Sequence, residues 1–222
     1  MYHDFPGAVF SGRTDSLLRL AAPPVLAASL ACVRPPLETE CPRVQPGDLV
    51  LTEFREDQPG SYRQWIELYN ASDEPIALTG LRLAFTRNDG KEDGSFIVRD
   101  DDLVVEPGDY VVLGSDDPER APYLDYSYLV DWYSPSNPDN PRDLPKGGLV
   151  EVLACGELID RVVLRNLTQQ DPSQPPLGTT FWPGEPSAAD NDEGANWCVD
   201  DFTTSTGIGV FGTPGEANPP CP

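Results

Sequence analysis

Two glutamates in short apolar segments are the residues of this sequence best suited to chemistry. Glu53 lies in LTEF and Glu67 in QWIELYN, and both segments have the composition of strands. Successive side chains of a strand point to opposite faces, so Glu67 would share one face with Trp65 and Tyr69. If the two strands pair, the carboxylates could flank a substrate as the acid pair of a glycosidase does. The alternative is an architectural role, either at the surface or hydrogen-bonded at a strand end.

Histidine, the usual general base, occurs once, at His3. Export would remove the segment that contains His3, and the mature protein would then have no imidazole. This argues against Ser-His-Asp and Cys-His catalysis and against histidine-ligated metals. The cysteines have no CxxC spacing, so a zinc site is not expected. We therefore predict that the protein is not an enzyme, with a secreted hydrolase using Glu53 and Glu67 as the alternative.

Two acidic runs could bind calcium. Asp190 and Asp192 in DNDEG place oxygens at alternate positions, as calcium loops do, and residues 100–102 form a second cluster. The first run lacks the EF-hand register, because glycine stands at the fifth position and no glutamate closes the loop. Such runs are usually solvated turns. We predict no metal and no cofactor, with calcium at Asp190 and Asp192 as the alternative.

A long loop, residues 115–146, is a candidate ligand-binding surface. Tyrosine and tryptophan provide rigid, amphipathic contact area that suits a protein or glycan partner. The alternative is that these side chains pack under the loop, because a loop of this length must be held by something. The aromatic residues of the loop are Tyr123, Tyr126, Tyr128, Trp132 and Tyr133.

The chain is strongly acidic, with 15 Lys and Arg against 37 Asp and Glu and a formal charge of −22. Its basic residues are scattered singly, so no basic stripe exists to neutralise phosphates. Nucleic-acid binding is therefore not expected. The acidity suits the solubility of a secreted protein, and the alternative is a cation or a basic partner.

The N-terminus has the order of a secretory signal peptide: arginines, an apolar stretch and small residues before Cys32. The run ASLAC, ending at Cys32, resembles a bacterial lipobox, in which a lipid is attached to the cysteine. It departs from that motif because Leu30 stands where a small residue is preferred and Ser29 where leucine is. We predict a lipoprotein signal peptide over 1–32 and a proline-rich tether over 33–47. The protein would lie at the bacterial cell envelope, as an outer-membrane or surface lipoprotein, or else be secreted, and a lipid anchor would be its membrane attachment.

The cysteine count agrees with export. Five cysteines are an odd number for an oxidising compartment, but setting Cys32 aside for the lipid leaves an even set. Of the three pairings that four cysteines allow, we favour Cys41 with Cys221, which ties the two ends of the domain, and Cys155 with Cys198.

After the tether, short apolar runs alternate with proline and glycine turns, and no helical period intervenes. Cys155-Gly156 between the last two long runs predicts a hairpin. The pattern favours an all-β antiparallel sandwich with long loops. The predicted strands cover 48–55, 64–70, 75–86, 95–99, 102–105, 109–114, 148–154 and 157–164, with weaker signals near Trp197 and Phe202.

Six segments occur in an order that resembles the lamin-tail domain, an immunoglobulin-like β-sandwich found in nuclear lamins and in many secreted bacterial proteins. The resemblance covers about residues 48–218 and implies one lamin-tail domain over 48–222. Such glutamates recur in that family without a catalytic role, which favours the architectural interpretation of Glu53 and Glu67. No heptad rod precedes the domain, so filament assembly does not carry over. The segments are LTEF (51–54), WIELYN (65–70), IALTGLRL (76–83), VEPGDYVVLG (105–114), GGLVEVLACGELIDRV (147–162) and GTPGEAN (212–218).

These observations lead to one functional expectation. The protein would be a non-catalytic binding or structural module, anchored at the envelope or secreted, which engages a protein or glycan through loop surfaces. The binding role rests on fold analogy.

Overall fold

A computed structural model describes residues 41–55, 64–133, 147–164, 180–181, 184–199 and 212–220 of the chain. All of them belong to one compact unit, Leu37–Pro222. The predicted signal peptide, Cys32, most of the tether, Phe202 and Cys221 lie outside the described residues.

The described elements are nearly all strands, as the turn-punctuated sequence predicts. Two short 3-10 helices, Tyr128–Val130 and Gly194–Asn196, accompany them, and no described helix has the length and apolarity to cross a membrane. The strands are β1 (Leu49–Arg55), β2 (Trp65–Asn70), β3 (Ile76–Ala77), β4 (Leu81–Thr86), β5 (Glu92–Ile97), β6 (Val104–Val105), β7 (Tyr110–Gly114), β8 (Tyr126–Ser127), β9 (Gly148–Ala154), β10 (Glu157–Leu164), β11 (Thr180–Phe181) and β12 (Cys198–Val199).

Two sheets form the predicted immunoglobulin-like sandwich. The six-stranded sheet has the order β12-β11-β1-β2-β7-β8 and the four-stranded sheet the order β10-β9-β4-β5, with β3 and β6 as a separate pair. Neighbouring strands are antiparallel except for β7 and β8. The all-β fold class is therefore confirmed.

Alternation along the strands builds the core between the two sheets. In β9, for example, buried and half-buried residues alternate along the whole strand. Each buried Leu, Val or Phe side chain contributes roughly 1.5–3 kcal/mol of transfer free energy. The core side chains from the two sheets include Leu51, Ile66, Leu68, Leu83, Phe85, Val150 and Val152.

One predicted strand is divided by a turn. The segment 75–86 contains β3 and β4, which belong to different sheets. Between them the Leu81 N–H donates to the Leu78 carbonyl at 2.8 Å, and Gly80 has a φ of 86°. Such a turn redirects the chain, so one apolar run serves two sheets. The sequence analysis missed β8 and β11, which are two residues long and have no alternation to detect.

The hairpin predicted at Cys155-Gly156 joins β9 and β10. Cys155 has a φ of 50° and Gly156 a φ of 86°, the pair of positive angles that a tight two-residue hairpin turn requires.

The predicted disulfide pairing is wrong. Cys41 is bonded to Cys155, with Cα atoms 5.6 Å apart, so neither Cys41 with Cys221 nor Cys155 with Cys198 forms. Cys198 is also disulfide-bonded.

The path of the chain before β1 explains the pairing. This segment runs beside β10, where the Gly47 N–H donates to the Ile159 carbonyl at 2.9 Å. Cys41 therefore meets the turn that begins β10. Counting cysteines could not reveal this, because it depends on which loop the N-terminal segment crosses.

Candidate functional site

Glu53 and Glu67 lie opposite each other on the paired strands β1 and β2. Both belong to the outer face of the six-stranded sheet, and both side chains are completely buried. The condition stated in the sequence analysis, that the two strands pair, is met. Of the two architectural alternatives, the acids are hydrogen-bonded and not at the surface, because a third segment of the chain covers them.

A β-bulge in β1 helps to arrange the pair. The register shifts between Leu51 and Glu53, so that Thr52 adds an extra residue on this side of the strand. The Thr52 hydroxyl donates to Glu67 Oε1 at 2.8 Å. The bulge thus provides Glu67 with a hydrogen-bond donor from the neighbouring strand.

The segment that covers the acids is GTPGEAN, residues 212–218, which we call the C-terminal turn. The Gly215 N–H donates to Glu67 Oε2 at 2.7 Å, and the Thr213 N–H donates to Glu53 Oε2 at 3.1 Å. The Thr213 hydroxyl lies 3.2 Å from the same Glu53 oxygen. Gly215 has a φ of 83°, a conformation that glycine adopts without strain. The two carboxylates therefore hold the backbone of this turn.

Asn218 fastens the other end of the C-terminal turn. Its amide donates to the Thr52 carbonyl at 3.1 Å, and its Oδ1 accepts from the Thr213 hydroxyl at 2.6 Å. The sequence indicated GTPGEAN only as one of the six lamin-tail segments and not as the partner of the glutamates. The order of the motifs contains no signal for this contact, because well over a hundred residues separate the turn from Glu53 and Glu67.

Burial governs the protonation of this pair. Desolvation, and next the like charge of Glu53, raise the pKa of Glu67 well above its usual value, while hydrogen bonds from Gly215 and Thr52 act in the opposite direction. Burial also raises the pKa of Tyr110, on the neighbouring strand β7, to about 12, with the charge of Glu67 as the next cause. The site therefore favours a proton on Glu67 more than an exposed glutamate would.

A hydrolase needs its two carboxylates open to substrate. Here neither glutamate is exposed, and both Glu67 oxygens accept hydrogen bonds from the protein. Two surface pockets of the described residues are lined by other segments, one around Cys41 and Pro75 and one around Pro46 and Ala188. Within the described residues the arrangement therefore fixes a turn, and neither carboxylate is open to a substrate.

A second buried acid, Asp160 on β10, was missed by the sequence analysis. Its Oδ2 accepts from the Leu51 N–H at 2.7 Å and from the Asn191 amide at 2.7 Å. The same Asn191 amide donates to the Leu51 carbonyl, and the Trp197 indole N–H donates to the Asn191 carbonyl. Burial raises the pKa of Asp160 to about 7. The available signal was its inward position in ELIDRVVL, two residues before Val162.

The calcium candidates, Asp190 and Asp192, lie on either side of a buried residue. Asp190 and Asp192 are exposed, whereas Asn191 between them is buried. In the described part of the chain no group of three acidic, histidine or cysteine residues is placed to hold a metal. In the second cluster, the Asp102 N–H donates to Asp100 Oδ1 within a local turn. DNDEG therefore contributes the Asn191 amide to the core, while its two aspartates lie at the surface.

The described part of the aromatic loop, residues 115–133, packs into the protein. Tyr126 and Tyr128 are buried in the main core, and Trp132 packs against it. Tyr123 contacts the Trp65 ring, with centroids 5.1 Å apart. The ligand-binding interpretation is thus corrected for Tyr126 and Tyr128, which are buried, whereas Tyr123 and Trp132 are half-buried against the two apolar clusters. Tyr133 is the exception, at 63% exposed.

Trp132 shows why the loop must fold inward. It lies 5.0 Å from Phe85 between ring centroids, and a Cβ added to Gly94 would come within 2.4 Å of it. The missing side chain at Gly94 thus leaves room that the tryptophan fills.

Comparison with known proteins agrees with this geometry. The family model described as Lamin Tail Domain matches residues 42–165. No curated protein and no solved structure matches the chain. The matched region contains β1 to β10 and both glutamates, and it ends before Asn191 and the C-terminal turn that complete their hydrogen bonds.

Proposed function

The chain belongs to the Lamin Tail Domain family, and on this premise we propose that it is a binding or structural module without catalytic activity, held at the bacterial cell envelope. The family is a non-catalytic, immunoglobulin-like one. The observation that carries the proposal is the sealed acid pair, because the two residues best suited to chemistry are used to hold the C-terminal turn.

Hydrolysis assays test the absence of catalysis. The purified chain would be incubated with polysaccharides and with a denatured protein, beside Glu53→Gln and Glu67→Gln variants. Glu216→Gln is the matched control, since Glu216 lies in the same turn but is exposed. We expect no hydrolysis by any of the four proteins. Hydrolysis by the wild type that Glu67→Gln abolishes and Glu216→Gln retains would establish the hydrolase instead.

Export and lipidation at Cys32 are the second part of the proposal. Disulfides at Cys41, Cys155 and Cys198 support an oxidising compartment. The lipobox-like run before Cys32 supports a lipid anchor.

Mass spectrometry of protein from its own cells tests this address. We expect a mature N-terminus at Cys32 that carries a diacylglycerol, and release from the membrane fraction on Cys32→Ser. A chain that retains His3 and reduced cysteines would place the protein inside the cell and contradict the proposal.

The partner would be a protein or a glycan. The described end of the aromatic loop leaves Tyr133 and Val130 exposed, at 63% and 74%. A photo-crosslinking amino acid at position 133, with position 104 on β6 as the matched exposed control, would report contact in intact cells. We expect a discrete adduct from position 133 alone. Equal labelling from both positions, or none from 133, would exclude this loop as the contact surface.

A further inference from the structure

The outer face of the four-stranded sheet is unusually apolar for a solvated face. Antiparallel sheets normally alternate apolar residues toward the core with polar residues toward water. On this sheet the residues that alternate with the core positions include a large share of aliphatic side chains. These outward residues are Ile97, Leu149, Leu153, Leu158 and Val163.

The outer faces of the two sheets differ in how far other described segments cover them. On the six-stranded sheet, Trp65 and Val112 are covered by Ala121 and Leu124, and the C-terminal turn covers the glutamates. On the four-stranded sheet, Leu149, Leu153, Leu158 and Val163 belong to neither apolar cluster of the described residues.

The charges of this face are balanced, in contrast to the whole chain. Arg161 on β10 lies opposite Glu151 on β9 in the strand register. Arg82 Nη2 lies 2.8 Å from Glu92 Oε1. Two basic and two acidic side chains therefore accompany the apolar residues, whereas the chain carries a formal charge of −22.

We propose that this face, which we call the dimer face, binds a second copy of the same chain. In a two-fold interface the same patch meets itself, so that each residue type must find its complement on the same patch. Arg161 and Glu151 satisfy this condition, because a two-fold axis between the strands sets the arginine of each copy against the glutamate of the other. Elsewhere two copies would repel each other, since both are strongly acidic. This inference requires neither envelope location nor a further partner.

The edge of β10 is poorly suited to strand pairing between two copies. Contact through the dimer face is therefore favoured over contact through this edge. β10 has a register shift between Leu158 and Asp160, and Asp160 points inward with its carboxylate. Bulges and inward charges are features that protect sheet edges from pairing. The Ile159 carbonyl on this edge already accepts from the Gly47 N–H.

Light scattering of the full chain after size-exclusion chromatography tests the proposal. We expect a mass of twice 24.2 kDa at about 100 µM, where interfaces of ordinary size are formed. Leu149→Glu should raise the dissociation constant by about 100-fold, because it places a charge in a desolvated interface. Val104→Glu is the matched control, as Val104 is exposed at 46% on β6, outside the dimer face.

A charge exchange distinguishes specific association through the dimer face from non-specific association. Arg161→Glu should weaken the dimer, and adding Glu151→Arg should restore it. Circular dichroism checks that each variant is folded. If Leu149→Glu does not fold, Val163→Glu replaces it, because Val163 is 38% exposed. Three results would overturn the proposal. The wild type could be a monomer at about 100 µM, Val104→Glu could weaken the association as much as Leu149→Glu does, or the double charge exchange could fail to restore the dimer. A wild type that dimerises and a Leu149→Glu variant that does not would support it.

Discussion

At the scale of single residues, Glu67 shows how a buried acid can serve structure. Its two oxygens accept hydrogen bonds from Thr52 and Gly215, which belong to segments far apart in the chain. A buried carboxylate is costly unless it is hydrogen-bonded. The cost is visible in its raised pKa, which burial and Glu53 produce.

We expect Glu67→Gln to raise the free energy of unfolding at pH 8 by about 1 kcal/mol. The amide removes a buried negative charge beside Glu53, and its oxygen can still accept from Gly215 while its NH2 group donates to the Thr52 hydroxyl. Urea denaturation measures the change, with the exposed Glu216→Gln as the control. A loss of stability at pH 8 would show that the ionised carboxylate is the favoured form in the fold.

At the scale of elements, the C-terminal turn joins the two strands that carry the acids. Its contacts with Glu53, Glu67 and Thr52 lie outside the region that the family match covers. The Asn191 loop is similar, since it closes on Leu51 and Asp160 from beyond the match. Both elements complete the domain by satisfying buried polar groups.

Thr213→Val should lower the free energy of unfolding by about 1–2 kcal/mol, because it removes the hydroxyl beside Glu53 and Asn218 at nearly constant volume. Thr86→Val, a half-buried position on β4, is the control and should change stability by about 0.5 kcal/mol or less. Chemical denaturation of both variants measures the two changes in the free energy of unfolding. Equal effects would mean that the Thr213 hydroxyl contributes nothing specific.

The disulfide between Cys41 and Cys155 ties the start of the domain to the β9–β10 turn. A non-reducing peptide map should recover this pair and join Cys198 to Cys221, the cysteine that remains when Cys32 carries the lipid. Because Cys41 and Cys155 are 114 residues apart, replacing both by serine should lower stability by about 4 kcal/mol. Recovery of Cys41 with Cys221 would contradict the pairing.

At the scale of the whole molecule, buried acids set the pH dependence of stability. Burial raises the pKa values of Glu67 and Asp160. A raised acid pKa contributes stability below the unfolded-state pKa and loses it as the pH rises through the folded value. The repulsion within a chain of charge −22 adds to this at neutral pH.

We therefore expect the melting temperature to be higher at pH 5 than at pH 8, and to fall mainly between pH 4 and about 7, the folded-state pKa of Asp160. Asp160→Asn should flatten the profile in this window, whereas Asp89→Asn, at an exposed site, should leave its shape unchanged. A melting temperature that rises steadily from pH 5 to pH 8 would contradict the assignment.

Part of the candidate site was predictable and part was not. The alternation in WIELYN predicted that Glu67 lies on the face opposite Ile66 and Leu68, because strand geometry acts locally. The placement of Glu53 beside Glu67 was not predictable from alternation, because the bulge at Thr52 moves Glu53 to the face opposite Leu51. Their burial was not predictable, because it depends on a turn far along the chain. The sequence left open whether the aromatic loop packs or binds a ligand, since the space that Trp132 fills exists only after Phe85 and Gly94 have come together.

The sequence by itself determined the all-β class, most strand positions, the β9–β10 hairpin and the family, because these follow from period, turn residues and motif order. The tertiary structure alone decided which side chains are buried, which cysteines meet and which parts of the outer sheet faces are covered by other described segments. Those outcomes depend on contacts between distant segments, and local preferences carry no information about which segments will meet.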